Sequence, residues 1–263
     1  MRGTWTICRR ELAGLFLTPL GWMLLVAALF TSGFLFYAQL VDANGNVRYA
    51  LEGALGGGPL FWMLMITLPP LLCMRLLAEE SRTGTLEYLL TAPVSDAAVI
   101  VGKYLAATLF MALLWLSVPL YGLTLHILGT PPDWAALMVA YLGAVLVSSL
   151  FVSIGLFASS LTQAPLLAAF LAFISCTLWL MLPWIVGLLL SQLRDTLTQF
   201  AGSWETAEAW IQGALESMNV FAHFGRSFLP GILDTSELMF FFTWPAFFLF
   251  LTVRSLEARR WRI

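Results

Sequence analysis

The sequence predicts an all-α integral membrane protein with six membrane-spanning helices. Hydrophobic residues make up 60% of the 263 positions and charged residues only 11%, so a soluble domain of this size could not bury its apolar surface. The mean hydropathy of +0.87 also indicates a lipid surrounding. A span needs about 20 mostly apolar residues in a helix, which satisfies its own backbone inside the bilayer. Six stretches qualify, at residues 17–40, 59–77, 99–125, 134–160, 165–190 and 238–253.

The basic residues predict on which side of the membrane each terminus lies. An even number of spans places both termini together. If Arg9 and Arg10 are cytoplasmic, only Arg48, Arg194 and Arg226 of the 13 Lys and Arg fall outside. Because Lys and Arg are enriched in cytoplasmic segments, we expect an N-in, C-in topology.

Residues 1–18 predict a helix that lies along the cytoplasmic membrane surface. Basic residues alternate there with apolar ones such as Trp5 and Leu12, a pattern typical of interfacial helices. Pro19 and Gly21 then direct the chain into the bilayer. The alternative is that these residues are only the frayed end of the first span. That span is too long for the apolar segment of a cleavable signal, so we expect it to be retained.

Two other segments carry packing signals. Residues 42–58, the first outer connection, are polar and end in three glycines, so we expect a flexible loop. The fourth span is rich in small residues, which predict dense packing within the bundle or, alternatively, a contact with a second chain. These residues are Ala144, Ser148, Ser149, Gly155, Ser159 and Ser160.

Residues 191–237 form the longest segment outside the spans, and they are amphipathic. Apolar side chains recur at helical spacing after residue 192, and Ser203 can cap a second helix. Trp204 and Trp210 favour a membrane interface. We therefore expect short extracytoplasmic helices between the fifth and sixth spans.

A polar island, residues 79–103, lies between two long apolar runs, and residues 78–98 are predicted to form a cytoplasmic coupling loop. Its acidic pair, Glu79 and Glu80, and its breaks at Gly84 and Pro93 are features that a lipid-exposed span would not tolerate. The island is therefore predicted to lie in water or against another protein.

The middle of the island predicts a short amphipathic helix. It can begin at Gly84 or Thr85, and Pro93 ends it because the residue before a proline disfavours helix. Glu87 lies near its positively polarised N-terminus. One face carries Leu86, Leu89 and Leu90. Such a helix could fit a groove on a cytoplasmic partner and transmit motion to two spans, whereas the alternative is a solvated loop without a partner.

The residues argue against ATP hydrolysis by this chain alone. A nucleotide-binding loop would need glycine at Ala97, and Ser or Thr where Tyr104 follows Lys103. The only histidines, His126 and His223, are too far apart for a zinc-binding helix. No basic stripe indicates a nucleic-acid partner. We expect no catalytic residue, no metal and no cofactor.

Two further alternatives receive little support. A prenyl-processing type of membrane protease carries Glu-Glu-x-x-x-Arg, but Gly84 stands at the arginine position. Met63, Met65, Cys73 and Met74 could pass copper as soft ligands, although ordinary apolar packing explains them more simply.

The sequence of residues 78–94 is Ala-Glu-Glu-Ser-Arg-Thr-Gly-Thr-Leu-Glu-Tyr-Leu-Leu-Thr-Ala-Pro-Val. It resembles the coupling region of ABC-2 type permeases, particularly the group associated with gliding motility and nitrous-oxide-reductase maturation. Members carry close variants of Ala-Glu-Glu-x-x-x-Gly-Thr-Leu-Glu-x-Leu-Leu-Thr-x-Pro-Val. Weaker matches are Arg10-Glu11 followed by Thr18-Pro19-Leu20-Gly21-Trp22, and His223-Phe224 followed by Gly231-Ile232-Leu233-Asp234.

The resemblance implies a single ABC-2 type transmembrane domain over residues 1–263, in a bacterial cytoplasmic (inner) membrane. Such a half-transporter dimerises with itself or a related permease and docks two separate cytoplasmic ABC ATPases, so the chain itself is not an enzyme. The implied ATPase contacts are Glu79, Glu80, Arg82, Gly84, Thr85, Leu86, Glu87, Leu89, Leu90 and Pro93, with Arg9, Arg10 and Glu11 as a secondary contact.

The predicted function is therefore the permease subunit of an ATP-driven exporter, which moves cargo or transmits force to a periplasmic partner. The spans hold almost no ionisable residue away from their ends, so a lipid-like, peptide or glycan cargo fits better than an ion. The alternative is a nucleotide-independent scaffold that assembles periplasmic partners through residues 192–237.

Overall fold

The structure is a computed structural model, and it describes residues 2–42, 45–85, 95–200 and 204–260. All regular structure in these ranges is helical, and six of the helical segments are long and apolar enough to cross a membrane. The predicted all-α integral membrane fold is therefore confirmed. The helices are α1 (Arg2–Leu17), α2 (Pro19–Asp42), α3 (Val47–Glu52), α4 (Pro59–Cys73), α5 (Glu80–Thr83), α6 (Asp96–Trp115), α7 (Ser117–Ile127), α8 (Trp134–Ser160), α9 (Pro165–Phe200), α10 (Trp204–Glu216), α11 (Val220–His223) and α12 (Thr235–Arg260).

Helix α1 is a separate element, not the end of the first span. It stops before Thr18, whose hydroxyl donates to the Leu15 carbonyl, and α2 begins at Pro19. The turn is so tight that a β-carbon on Gly21 would lie 1.8 Å from the Leu15 oxygen. Helix α1 packs along α6. Its place at the membrane surface stays a prediction.

The second span is longer than the sequence predicted, and the flexible loop expected at residues 42–58 was wrong for the described residues 45–58, most of which are helical. Asn46 caps α3, and a kinked π-helical turn, Gly53–Gly57, follows it with non-helical backbone at Leu55 and Gly56 before α4 begins. Leu55 is fully buried there. The glycines serve close packing, since a β-carbon on Gly56 would lie 2.1 Å from the Phe224 ring.

Helix α8, the fourth span, forms the centre of the bundle. It packs against α4, α6, α9 and α12. In its most apolar 18-residue stretch 72% of the residues are buried, against 22% in that of the first span. All six small residues singled out in this span are buried inside the chain itself. Close approach depends on them, because a β-carbon on Gly155 would lie 3.0 Å from Cys73. The predicted dense packing within the bundle is confirmed.

Most of the described residues between the fifth and sixth spans are helical, as predicted. Helix α9 continues beyond residue 190 to Phe200, so the first expected short helix is an extension of the span. Helix α10 begins at Trp204, directly after the predicted cap. Helix α11 and a π-helical turn, Phe224–Phe228, then bring Phe228 against Gly143 of α8. Their position relative to the membrane stays a prediction.

Candidate coupling site

Four charged side chains meet where α1, α5 and α6 come together, and we call them the charge cluster: Arg10, Glu11, Glu80 and Lys103. The Lys103 Nζ lies 2.7 Å from Glu80 Oε1 and 3.1 Å from Glu11 Oε1. The Arg10 Nη2 lies 2.9 Å from Glu11 Oε1 and 4.0 Å from Glu80 Oε1. Two cations and two carboxylates therefore form a neutral group that joins three helices.

Lys103 is the buried centre of the charge cluster. Its side chain is 0% exposed, whereas Glu11 and Glu80 keep 15% and 21% of their exposure. A buried ammonium without partners would be strongly unfavourable, so the two carboxylates are what allow this lysine to sit inside the bundle. The burial of Lys103 therefore depends on its pairing with Glu11 and Glu80.

The residue before Lys103 brings α1 close enough for this pairing. A β-carbon on Gly102 would lie 2.9 Å from Ile7 Cγ2 and 3.0 Å from the Thr4 carbonyl oxygen. Glycine is therefore required for the observed distance between α1 and α6. As a result, Glu11, one helical turn after Ile7, lies close enough to pair with the Lys103 ammonium.

Arg10 forms the solvent-facing edge of the charge cluster. The hydrogen bond that its guanidinium donates to Glu11 raises the pKa of Arg10, and the nearby Glu80 carboxylate adds to this effect. Its side chain is 58% exposed, so its contribution to stability is small compared with that of a buried pair.

The helix that carries Glu80 is fixed to the centre of the bundle by a π-helical turn, Arg75–Glu79. In this turn the Ala78 N–H donates to Ser159 Oγ of α8 at 3.0 Å. Helix α5 then ends at Gly84, whose φ of +73° lies in the left-handed region that favours glycine. The described start of the polar island is thus attached to α8 through Ala78.

A second polar contact joins α11 to the last span, away from the charge cluster. The His223 Nδ1 is hydrogen-bonded to Glu237 Oε2, and Glu237 is buried. The His223 ring stacks on Phe240 with centroids 4.1 Å apart, and its Nε2 lies 3.3 Å from the Ser217 carbonyl oxygen. This contact holds the segment before α12 against the bundle.

A family model described as ABC-2 family transporter protein matches residues 54–205, which is more than half of the chain. The chain belongs to the ABC-2 transporter family. No curated protein matches it. Membership makes this a multi-pass membrane protein of a transport system, in a family of transport membrane subunits. The description names no subgroup, so the gliding-motility and nitrous-oxide-reductase group stays a prediction.

This ABC-2 protein brings together predicted site residues from two distant segments. Glu80 of the island and Arg10 and Glu11 of α1 meet in the charge cluster. Glu79 instead pairs with Arg75 at 3.1 Å.

The other predicted ATPase contacts lie outside the charge cluster. Arg9, Arg82 and Thr85 are exposed. The Thr85 hydroxyl donates to the Glu80 carbonyl oxygen at 3.3 Å, which folds the start of the island back on α5. Leu86, Glu87, Leu89, Leu90 and Pro93 lie outside the described residues.

Sequence reasoning missed Lys103 and the His223–Glu237 contact in this ABC-2 protein. Lys103 was counted as a cytoplasmic cation and rejected as the lysine of a nucleotide-binding loop, and no partner inside the chain was assigned to it, although an ionisable residue within an apolar helix usually has one. That signal predicts a partner without naming it. Among the residues that the structure describes, no three His, Cys, Asp or Glu side chains converge as a metal site would require.

Proposed function

We propose that this chain is the permease subunit of an ATP-driven exporter and that a separate cytoplasmic ABC ATPase docks on residues 78–98 and on α1. Family membership supports a transport subunit. The observation that carries the finer proposal is the charge cluster, because it joins the two segments that resemble ATPase contacts. A partner that grips either segment therefore acts on the third span as well.

The proposal requires that the charge cluster face the cytoplasm. Trp5 in α1 is 64% exposed, and Ile232, between the last two spans, is 58% exposed. Cysteines at these two positions should react with a membrane-impermeant maleimide from opposite sides. Labelling of the Trp5 position only from the outer side would contradict the proposal.

Arg82 offers the sharpest test of ATPase docking, because its side chain is exposed at the base of the island. Arg82→Glu should reduce the amount of ATPase that co-purifies from native membranes. Glu80 is unsuitable for this test, since its loss would break the ion pairs inside the chain. A matched control is Arg254→Glu, because Arg254 is also an exposed arginine at a span end but pairs within its own helix.

Native mass spectrometry of the same complex tests its composition. We expect two permease chains and two ATPase chains. Recovery of the folded chain without any ATPase would overturn the proposal and favour a nucleotide-independent scaffold. If Arg82→Glu and Arg254→Glu lose equal amounts of co-purified ATPase, the result would show that the polar island is not a specific docking surface.

The cargo that fits this chain best has an apolar part. A groove of about 570 Å³ opens between α4 and α9, lined by apolar side chains such as Leu71, Leu167 and Phe170. Its polar lining residue, Thr67, already donates its hydroxyl to the Met63 carbonyl. Leu167→Arg should lower the stimulation of ATPase activity by membrane lipid extract while leaving ATPase co-purification unchanged.

A further inference from the structure

We infer that Lys103 is a positioning residue that locks α1 and the base of the polar island to the third span, so that all three move as one lever. The inference rests on the proposed function, because it assigns a mechanical role to the two segments proposed to contact the ATPase. It adds a residue that lies in neither segment.

The geometry makes Lys103 the shared partner of the other two elements. Its ammonium holds Glu11 of α1 at 3.1 Å and Glu80 of α5 at 2.7 Å. Both contacts use one oxygen of each carboxylate. The other oxygen of Glu80, Oε2, is buried and has no hydrogen-bond partner within the described part of the chain. Lys103 therefore dominates the attachment of Glu80 to the bundle.

Movement of α5 away from α6 would separate these charges where water cannot replace them. Lys103 is 0% exposed, so a displaced Glu80 would leave half of the ammonium's pairing unmade inside the protein. The same holds for α1 and Glu11. Concerted movement of the three helices keeps every pair intact and is therefore the favoured response to an external pull.

The contrast with another ion pair shows why this arrangement couples elements. Arg254 and Glu257 lie 2.8 Å apart within α12, and both side chains are exposed. Breaking that pair would not change how helices are held relative to each other. Lys103 joins different helices. Lys103→Met and Arg254→Met each remove one cation, but only Lys103→Met should change how the helices are held together.

Spin labels on the full chain in lipid nanodiscs test the lock directly. Cysteines at Trp5 in α1 and Thr83 in α5 are at exposed positions, whereas the native Cys8, Cys73 and Cys176 are buried. The wild-type background should give one narrow distance. Lys103→Met should broaden it, and Lys103→Arg, which keeps the charge, should restore it.

Activity of the co-purified ATPase tests whether the lock transmits force. Lys103→Met should still co-purify ATPase but should lose about fivefold or more of the stimulation that the permease gives to ATP turnover. Lys103→Arg should recover this stimulation, and Arg254→Met should leave it unchanged. A merely structural role would instead lower the yield of complex and leave the turnover of each assembled complex unaltered.

If the spin-label distance in Lys103→Met stays as narrow as in the wild-type background, the inference is overturned. Unchanged stimulation of ATP turnover in Lys103→Met also overturns it. If Lys103→Met does not fold, Glu11→Gln keeps Lys103 paired with Glu80 and should still broaden the distance; an unbroadened distance there overturns it. If no ATPase binds the wild-type chain, the proposed function fails while the spin-label experiment still decides whether Lys103 locks the helices.

Discussion

The indole nitrogen of Trp115 donates a hydrogen bond of 3.0 Å to the hydroxyl oxygen of Ser148, between the third and fourth spans. Trp115 is fully buried, and the Ser148 hydroxyl in turn donates to the Ala144 carbonyl at 2.8 Å. Lipid offers the indole no alternative acceptor, so this contact orients the largest buried side chain at the centre of the bundle.

Ser148→Ala should lower the unfolding free energy of the bundle by about 0.5–2 kcal/mol, because it leaves the Trp115 N–H unpaired. Unfolding in mixed micelles of increasing SDS content measures the change. Ser191→Ala is the matched control, since Ser191 is exposed and bonds only within its own helix. A larger loss in the control would contradict the role of Ser148.

Gly102→Ala should push α1 away from α6. Its new β-carbon would meet Ile7 and the Thr4 carbonyl at 2.9–3.0 Å, and crowding of this kind costs about 1–3 kcal/mol. Faster proteolysis within α1 would report the displacement. The control is Gly14→Ala in α1, which faces open space and should be neutral or stabilising by up to about 1 kcal/mol. Equal proteolysis of both variants would argue against the close contact.

Gly56→Ala should destabilise the π-helical turn of the second span more than Gly45→Ala destabilises the turn before it. Both glycines have positive φ, +122° and +81°, which costs an alanine about 1–2 kcal/mol. Only Gly56 also faces Phe224, with a β-carbon 2.1 Å from the ring. The difference between the two melting temperatures isolates the packing contribution, and similar values would exclude it.

His223→Leu should loosen the segment before the last span. It removes the hydrogen bond to the buried Glu237 carboxylate, an effect of about 1–3 kcal/mol. Faster amide hydrogen exchange over residues 219–229 measures it. Arg226→Gln is the control, because its contact with Glu216 is 3.9 Å long and exposed and is worth about 0–1 kcal/mol. Unchanged exchange in His223→Leu would mean that the contact does not hold this segment.

Cys8 should react slowly with maleimide in the folded protein. It is 1% exposed, and burial raises the pKa of its thiol, so less of the reactive thiolate is present at neutral pH. Its labelling rate should rise only at a higher pH than the rate of a cysteine placed at the exposed Trp5. Equal rates at neutral pH would show that α1 does not bury this face.

The helical content and the six spans could be predicted because they follow from local demands. An apolar run in lipid must satisfy its own backbone, so hydropathy alone indicates a helix. The same reasoning failed at residues 42–58, where glycines were interpreted as signs of flexibility. They instead admit Phe224 and Gln39 at close range, a fact that belongs to partners distant in the chain.

What the sequence by itself determined is which six stretches are long and apolar enough to span a membrane, because hydropathy is a property of short segments. Only the tertiary structure decided that Glu11 and Glu80 share the ammonium of Lys103. The physical reason is that a buried charge needs a partner, but its identity depends on which helices approach. That approach was set by the missing side chain of Gly102.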